Sequence, residues 1–107
     1  PASDEQRAGD VGLRYIKAVA NQDWKAACAT RPDTEQREMA RLGGSCEKAF
    51  AAIFEGKGTS LFDDVKLGDV RVSGTRAEVD LVQPGQTEPA ATLVAKKLGG
   101  EWRVIDE

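Results

Sequence analysis

The chain has 107 residues, 40% hydrophobic and 31% charged, with 15 Lys and Arg against 18 Asp and Glu, a net charge of −3 and no histidine. That size makes one domain with a single core that needs no metal or set of staples, and that composition is globular rather than disordered. Acids and bases alternate along the sequence, which excludes the clustered basic face of a nucleic-acid binder. No apolar run approaches the ~20 residues of a membrane span, so contact with a membrane would run only through an anchor outside this chain. The opening run Pro1-Ala2-Ser3-Asp4-Glu5-Gln6 reads as the end of a linker following a removed signal or anchor, which leaves residues 1–107 as one domain with 1–6 as linker.

Ala8, Val11, Gly12, Tyr15, Ile16 and Val19 recur at three- and four-residue steps, which predicts an amphipathic helix from about Asp4 to Asn21. Asp23 caps a second, short helix carrying Trp24, Ala26, Ala27 and Cys28, which Pro32 stops. Asp33 with Gln36 three positions on resembles a capping box and opens a helical turn or two bearing Met39 and Leu42, broken by Gly43-Gly44. Ser45 is the next N-cap, and Cys46, Ala49, Phe50, Ile53 and Phe54 form an apolar stripe ending near Gly56.

After a loop from Gly56 to Asp64 the period changes from 3.6 to 2. Val65 and Leu67, then Val70 and Val72, alternate with a slip of one at Gly68-Asp69, the mark of a β-bulge. Ser73-Gly74 signals a tight turn, and Ala77, Val79 and Leu81 answer from the returning strand, with Arg76, Glu78 and Asp80 on a wet face. Beyond the Pro/Gly loop 83–89, a second hairpin runs from Ala91 to Leu98, through Gly99-Gly100, and back from Glu101 to Ile105. A two-residue turn sets Ala95 against Val104 and Lys97 against Trp102 on one face, and Val94 against Ile105 on the other. Helices followed by antiparallel strands define an α+β domain, with N-terminal helices packed on one face of a curved four-stranded antiparallel sheet.

The long first helix, the run Asn21-Gln22-Asp23-Trp24-Lys25-Ala26-Ala27-Cys28, the segment Gly43-Gly44-Ser45-Cys46 and the closing Leu98-Gly99-Gly100-Glu101-Trp102-Arg103-Val104 together resemble small secreted actinobacterial proteins of the nuclear-transport-factor-2-like (cystatin-like cone) group. That resemblance implies a lipoprotein or the extracytoplasmic domain of a membrane protein, with a cone whose mouth can hold a small ligand. The chain departs from enzymatic members of the group in having no histidine for the histidine–aspartate pairs many of them use.

Cys28 and Cys46 are the only cysteines. With no histidine they cannot make a zinc site, and eighteen positions are not the spacing of a C-x-x-C redox motif. Two readings stay open: a pair of buried thiols, or, preferred, a disulfide between the second helix and the start of the fourth, which would place the chain in an oxidising compartment.

No catalytic residues stand out. Asp63-Asp64 sits where turn and cap roles dominate, and Asp80 points outward to solvent. Gly56-Lys57-Gly58-Thr59-Ser60 follows a helix and is no phosphate loop. If the cone is open, Tyr15, Trp24, Phe50, Phe54 and Trp102 line its pocket; if it is filled, they are core. Val94 and Ile105 form an apolar pair on the outer face, suited to a homodimer or a docking partner. The expectation is a non-catalytic extracytoplasmic binding or interaction module for a small apolar ligand or a protein partner, with no metal or cofactor. The alternative is an isomerase- or cyclase-like enzyme using a pocket acid with Tyr15.

Overall fold

The computed structural model describes residues 2–106. Helix α1 (Asp4–Ala20) starts in a full capping box: the Gln6 amide donates to Ser3 Oγ at 3.2 Å, and the Ser3 amide donates to Gln6 Oε1 at 3.0 Å. The helix starts at Asp4, where the periodicity put it, so residues 4–6 of the linker reading are its first turn, because Ser3 and Gln6 satisfy two amides that a helix start leaves unpaired; Pro1 lies outside the described residues. Helix α2 (Trp24–Ala29) is capped by Asp23, whose carboxylate accepts from the Ala26 amide at 3.2 Å.

Helix α3 (Asp33–Gly43) departs from expectation at its start. Its N-cap is Pro32, without a side-chain bond, and Asp33 is already helical. The expected box is absent because Gln36 turns away to donate to the Arg31 carbonyl at 2.9 Å; Asp33 instead places its charge on the first turn, where the helix dipole favours it. Gly44, at φ 89°, ends the helix, and α4 (Cys46–Ile53) follows with Ser45 accepting from the Lys48 amide at 3.1 Å. The expected loop before the sheet holds a single 3-10 turn, Ser60–Phe62.

Strands β1 (Lys66–Ser73), β2 (Arg76–Val82), β3 (Ala91–Leu98) and β4 (Glu101–Ile105) form an open antiparallel sheet in chain order. The register shifts between Leu67 and Val70, at the predicted bulge. The first turn falls one residue later than expected, on Gly74-Thr75, since Ser73 still pairs with Arg76. In the last hairpin Ala95 faces Val104, Lys97 faces Trp102 and Val94 faces Ile105, as the sequence pattern requires. Its turn residues Gly99 and Gly100 both have positive φ (57° and 83°), the backbone of a tight two-residue hairpin.

Helix α1 carries the assembly. Ala8 and Val11 pack with Ala77, Val79, Ala95, Trp102 and Val104 of the sheet. Ile16 meets Val65 and Leu81, and Ala18 and Val19 meet Ala27, Cys28, Cys46 and Phe50. Helices α2, α3 and α4 make their main contacts with α1 and with one another, so they form a lobe beside the sheet rather than a second layer on it. A disulfide joins Cys28 of α2 to Cys46 of α4, with 6.1 Å between Cα atoms. Closing a loop of that length contributes ~3 kcal/mol in the chain-entropy account.

The helix sits close on the sheet at two glycines, and they differ. A Cβ on Gly12 would lie 2.8 Å from Val79 Cγ1 and 3.2 Å from its Cβ, whereas one on Gly9 would meet Leu67 Cδ2 at 2.9 Å, the free end of a part-exposed side chain. Val79 is fully buried and branched at Cβ, so it has no room to turn. Alanine in a helix interior gains up to ~1 kcal/mol over glycine. We therefore expect Gly9→Ala to leave stability unchanged or raise it. Gly12→Ala should lose ~1–3 kcal/mol through overpacking. Urea unfolding of the two variants checks this, and equal midpoints would contradict the close approach.

Candidate functional site

Four of the five aromatic residues read as pocket lining or core are brought together and packed against one another. Trp24 stacks on Phe54 at 5.3 Å between ring centroids and on Phe50 at 6.2 Å, and Tyr15 meets Phe50 edge-on at 6.2 Å. Phe50 of α4 and its C-cap residue Phe54 are one turn apart, and the disulfide holds α4 against the helix that begins with Trp24. Met39 and Phe62 close around the same cluster. These rings give their faces to each other and form the core of the helical lobe. Trp102 stands apart, in the sheet core with Ala8, Val11 and Val104.

Tyr15 lies where the two cores meet. The Arg31 guanidinium is 5.5 Å from its ring centroid, a cation–π contact. Arg31 itself is 2% exposed, and is held by Glu35 through two bonds of 2.6 and 2.8 Å and by Asp106 at 2.9 Å. Burial works against the buried guanidinium, but Glu35 and Asp106 outweigh it and hold Arg31 firmly charged. Burial pushes the Tyr15 phenol above its ordinary value. A phenol moved that way stays protonated at neutral pH and is a poor base.

A second polar centre links the two ends of the chain. Asp4 Oδ1 accepts from Trp102 Nε1 at 3.2 Å, Lys97 Nζ at 3.1 Å and Arg7 Nη2 at 2.7 Å. These three donors, the Trp102 indole foremost, hold the Asp4 carboxyl below the usual carboxylate range. Sequence reasoning set Asp4 at the boundary of linker and first helix and gave it no partner. The one available signal was the register that sets Lys97 beside Trp102, and nothing local pointed 93 residues back to Asp4.

On the outer face of the sheet, Asp80 is 8% exposed rather than solvated as expected. Arg71 reaches across from β1 with bonds of 2.8 and 3.0 Å, and Thr92 Oγ1 donates at 2.8 Å. An outward position is covered here because the long Arg71 side chain lies over it from one flanking strand and Thr92 bonds to it from the other. Arg71, then Thr92, keep the Asp80 carboxyl below its ordinary value. Val94 and Ile105 lie opposite each other on the same face, both part-exposed.

The open space lies elsewhere. A groove of about 770 Å³ runs between α1 and β4, with Arg7, Asp10, Arg14 and Lys17 on one wall and Trp102 and Arg103 on the other. Arg7 is paired with Asp4, and Arg103 donates to the Ala29 carbonyl at 2.7 Å and to Glu101 at 2.6 Å. Arg14 and Lys17 have no ion-pair partner among the described residues. A smaller depression of about 460 Å³ lies at the bulge, beside Glu5, Gln6 and Leu67. Among the described residues no three of His, Cys, Asp or Glu are grouped to hold a metal ion, and no helix is long and apolar enough to cross a membrane. Comparison with protein-family models, curated proteins and solved structures finds no match to this chain.

Both lowered carboxyls predict the acid behaviour. A carboxyl depressed in the folded state adds stability above its unfolded pKa, and that stability is lost as pH falls through the folded value. Asp4 and Asp80 are both of this kind. Stability should therefore fall as pH drops below about 4. Asp4→Asn should lower stability at pH 7 and flatten that acid limb, as read from urea midpoints across pH. An acid limb as steep as that of the unaltered protein would rule out the Asp4 cluster as its source.

Proposed function

We propose that this chain is a non-catalytic extracytoplasmic binding or interaction module of the nuclear-transport-factor-2-like kind, a soluble domain of a lipoprotein or membrane-anchored protein. The observation that carries the reading is the packing of Tyr15, Trp24, Phe50 and Phe54 into one another, which occupies the aromatic surface a cone pocket would have to offer. The Cys28–Cys46 disulfide accords with an oxidising compartment. Catalysis of the isomerase or cyclase type needs an acid or base poised near neutral pH. The Tyr15 phenol is shifted up, and the Asp4 and Asp80 carboxyls are shifted down, each away from that range. Binding therefore falls to the surface: the α1–β4 groove and the Val94–Ile105 pair.

Compartment and association are tested separately. Protein trapped with an alkylating agent in its native host should show both sulfurs unmodified until a reductant is added; two freely alkylated thiols would remove the extracytoplasmic reading. For association, sedimentation of the unaltered protein should show self-association that Ile105→Glu abolishes. Monomers in both cases would exclude the Val94–Ile105 face as a homodimer contact.

A further inference from the structure

We propose that the groove between α1 and β4 receives an extended acidic peptide segment of a partner protein, which adds to the free edge of β4 and sets its carboxylates against Arg14 and Lys17. The proposal rests on the interaction-module reading and names the partner's chemistry.

Three observations converge on this groove. The first is the edge itself. The Val104 amide donates to the Thr30 carbonyl at 2.8 Å, so at Val104 the main chain points away from β3. Main-chain direction alternates along a strand, so the amide and carbonyl of Trp102, two residues earlier, point the same way. Neither has a hydrogen-bond partner among the described residues, and Trp102 lines the groove. Unpaired edge groups of this sort are what strand addition uses.

The second is charge. The whole chain carries −3, yet the groove gathers Arg7, Arg14, Lys17 and Arg103 against Asp10 and Glu101. Arg7 and Arg103 are already engaged. Arg14 and Lys17 are not, and against them stands only Asp10, also unpaired among the described residues, so the free charge on this wall is net positive.

The third is shape. Arg7 to Lys17 spans ten residues of one helix, a wall of ~15 Å at 1.5 Å per residue. An extended peptide covers that length with four or five residues at ~3.3 Å each. Arg14 and Lys17 are three residues apart on α1, close enough for one anion to touch both, so charge alone does not select a peptide; the unpaired main-chain groups of Trp102 beside them do. The α2 end, at Thr30, closes the strand edge beyond Trp102, which limits main-chain pairing to a short stretch. Affinity should accordingly be modest and should depend strongly on salt.

The test uses a fluorescein-labelled acetyl-(Glu-Val)3-amide peptide and fluorescence anisotropy with the intact, oxidised protein. The acidic peptide should bind, weaken as salt is raised, and bind far better than its Lys-Val counterpart. Arg14→Glu with Lys17→Glu should weaken it about tenfold or more. Asp10→Asn should tighten it, a gain that a misfolded variant cannot mimic. N-methylation of alternate amides along one peptide edge keeps the charges but blocks strand pairing, and should also weaken binding.

Absence of binding, or binding indifferent to both charge variants, would overturn the proposal. Equal binding of the N-methylated peptide, or equal competition by free glutarate, would overturn strand addition in favour of a simple anion site. Peptide failure with the two sulfurs still oxidised in the host leaves the module reading standing, whereas free thiols there count against that reading alone.

Discussion

The structure depends on how closely α1 lies on the sheet. At Gly12 the helix backbone comes so near the fully buried Val79 that no Cβ fits without a shift. That contact sets the height of α1 above β2. It also lets Ala8 and Val11 reach the sheet core while Ala18 and Val19, further along the same helix, reach the helical lobe. Close-packed interiors tolerate little change of volume at such points. One helix thus serves two cores, and the rest of the chain is arranged along it.

Two polar clusters fasten the ends of that arrangement. Near the start of α1, Asp4 collects the Trp102 indole, Lys97 and Arg7. At the other end of β4, buried Arg31 joins Glu35 and Asp106 and lies over Tyr15. Buried or partly buried charges are tolerated only when well paired and hydrogen-bonded, and each of these groups has several partners. Together they tie β4 to α1 and to the segment between α2 and α3. The disulfide does the equivalent within the helical lobe by joining α2 to α4.

The aromatic rings of the helical lobe stack on one another, with Phe50 buried and Trp24 and Phe54 partly exposed. The chain's open space is the polar channel beside the edge strand β4. This follows from the single-layer arrangement: α1 covers the inner face of the sheet, while the other three helices gather at its end and leave the β4 edge open only at Trp102, short of the Val104–Thr30 bond.

The amino-acid sequence by itself determined the elements and much of the pairing. Periodicity located the helices and strands, Gly68-Asp69 marked the bulge, and Gly99-Gly100 set the last hairpin's register, since each signal is local and repeats within a few residues. The two cysteines pointed to the disulfide for a different reason: with only two in the chain, each had one possible partner. Only the tertiary structure decided the rest. Asp4 became a clamp because residues 93 and 98 positions away arrive beside it. Asp80 became covered because Arg71 and Thr92 flank it from two strands. Whether Trp24, Phe50 and Phe54 pack together was decided by α2 and α4 meeting face to face. The groove came into being where α1, the end of α2 and a strand from the far end of the chain enclose a space that no one of them forms alone. Side-chain environments of that kind depend on distances through space, which a linear pattern does not carry.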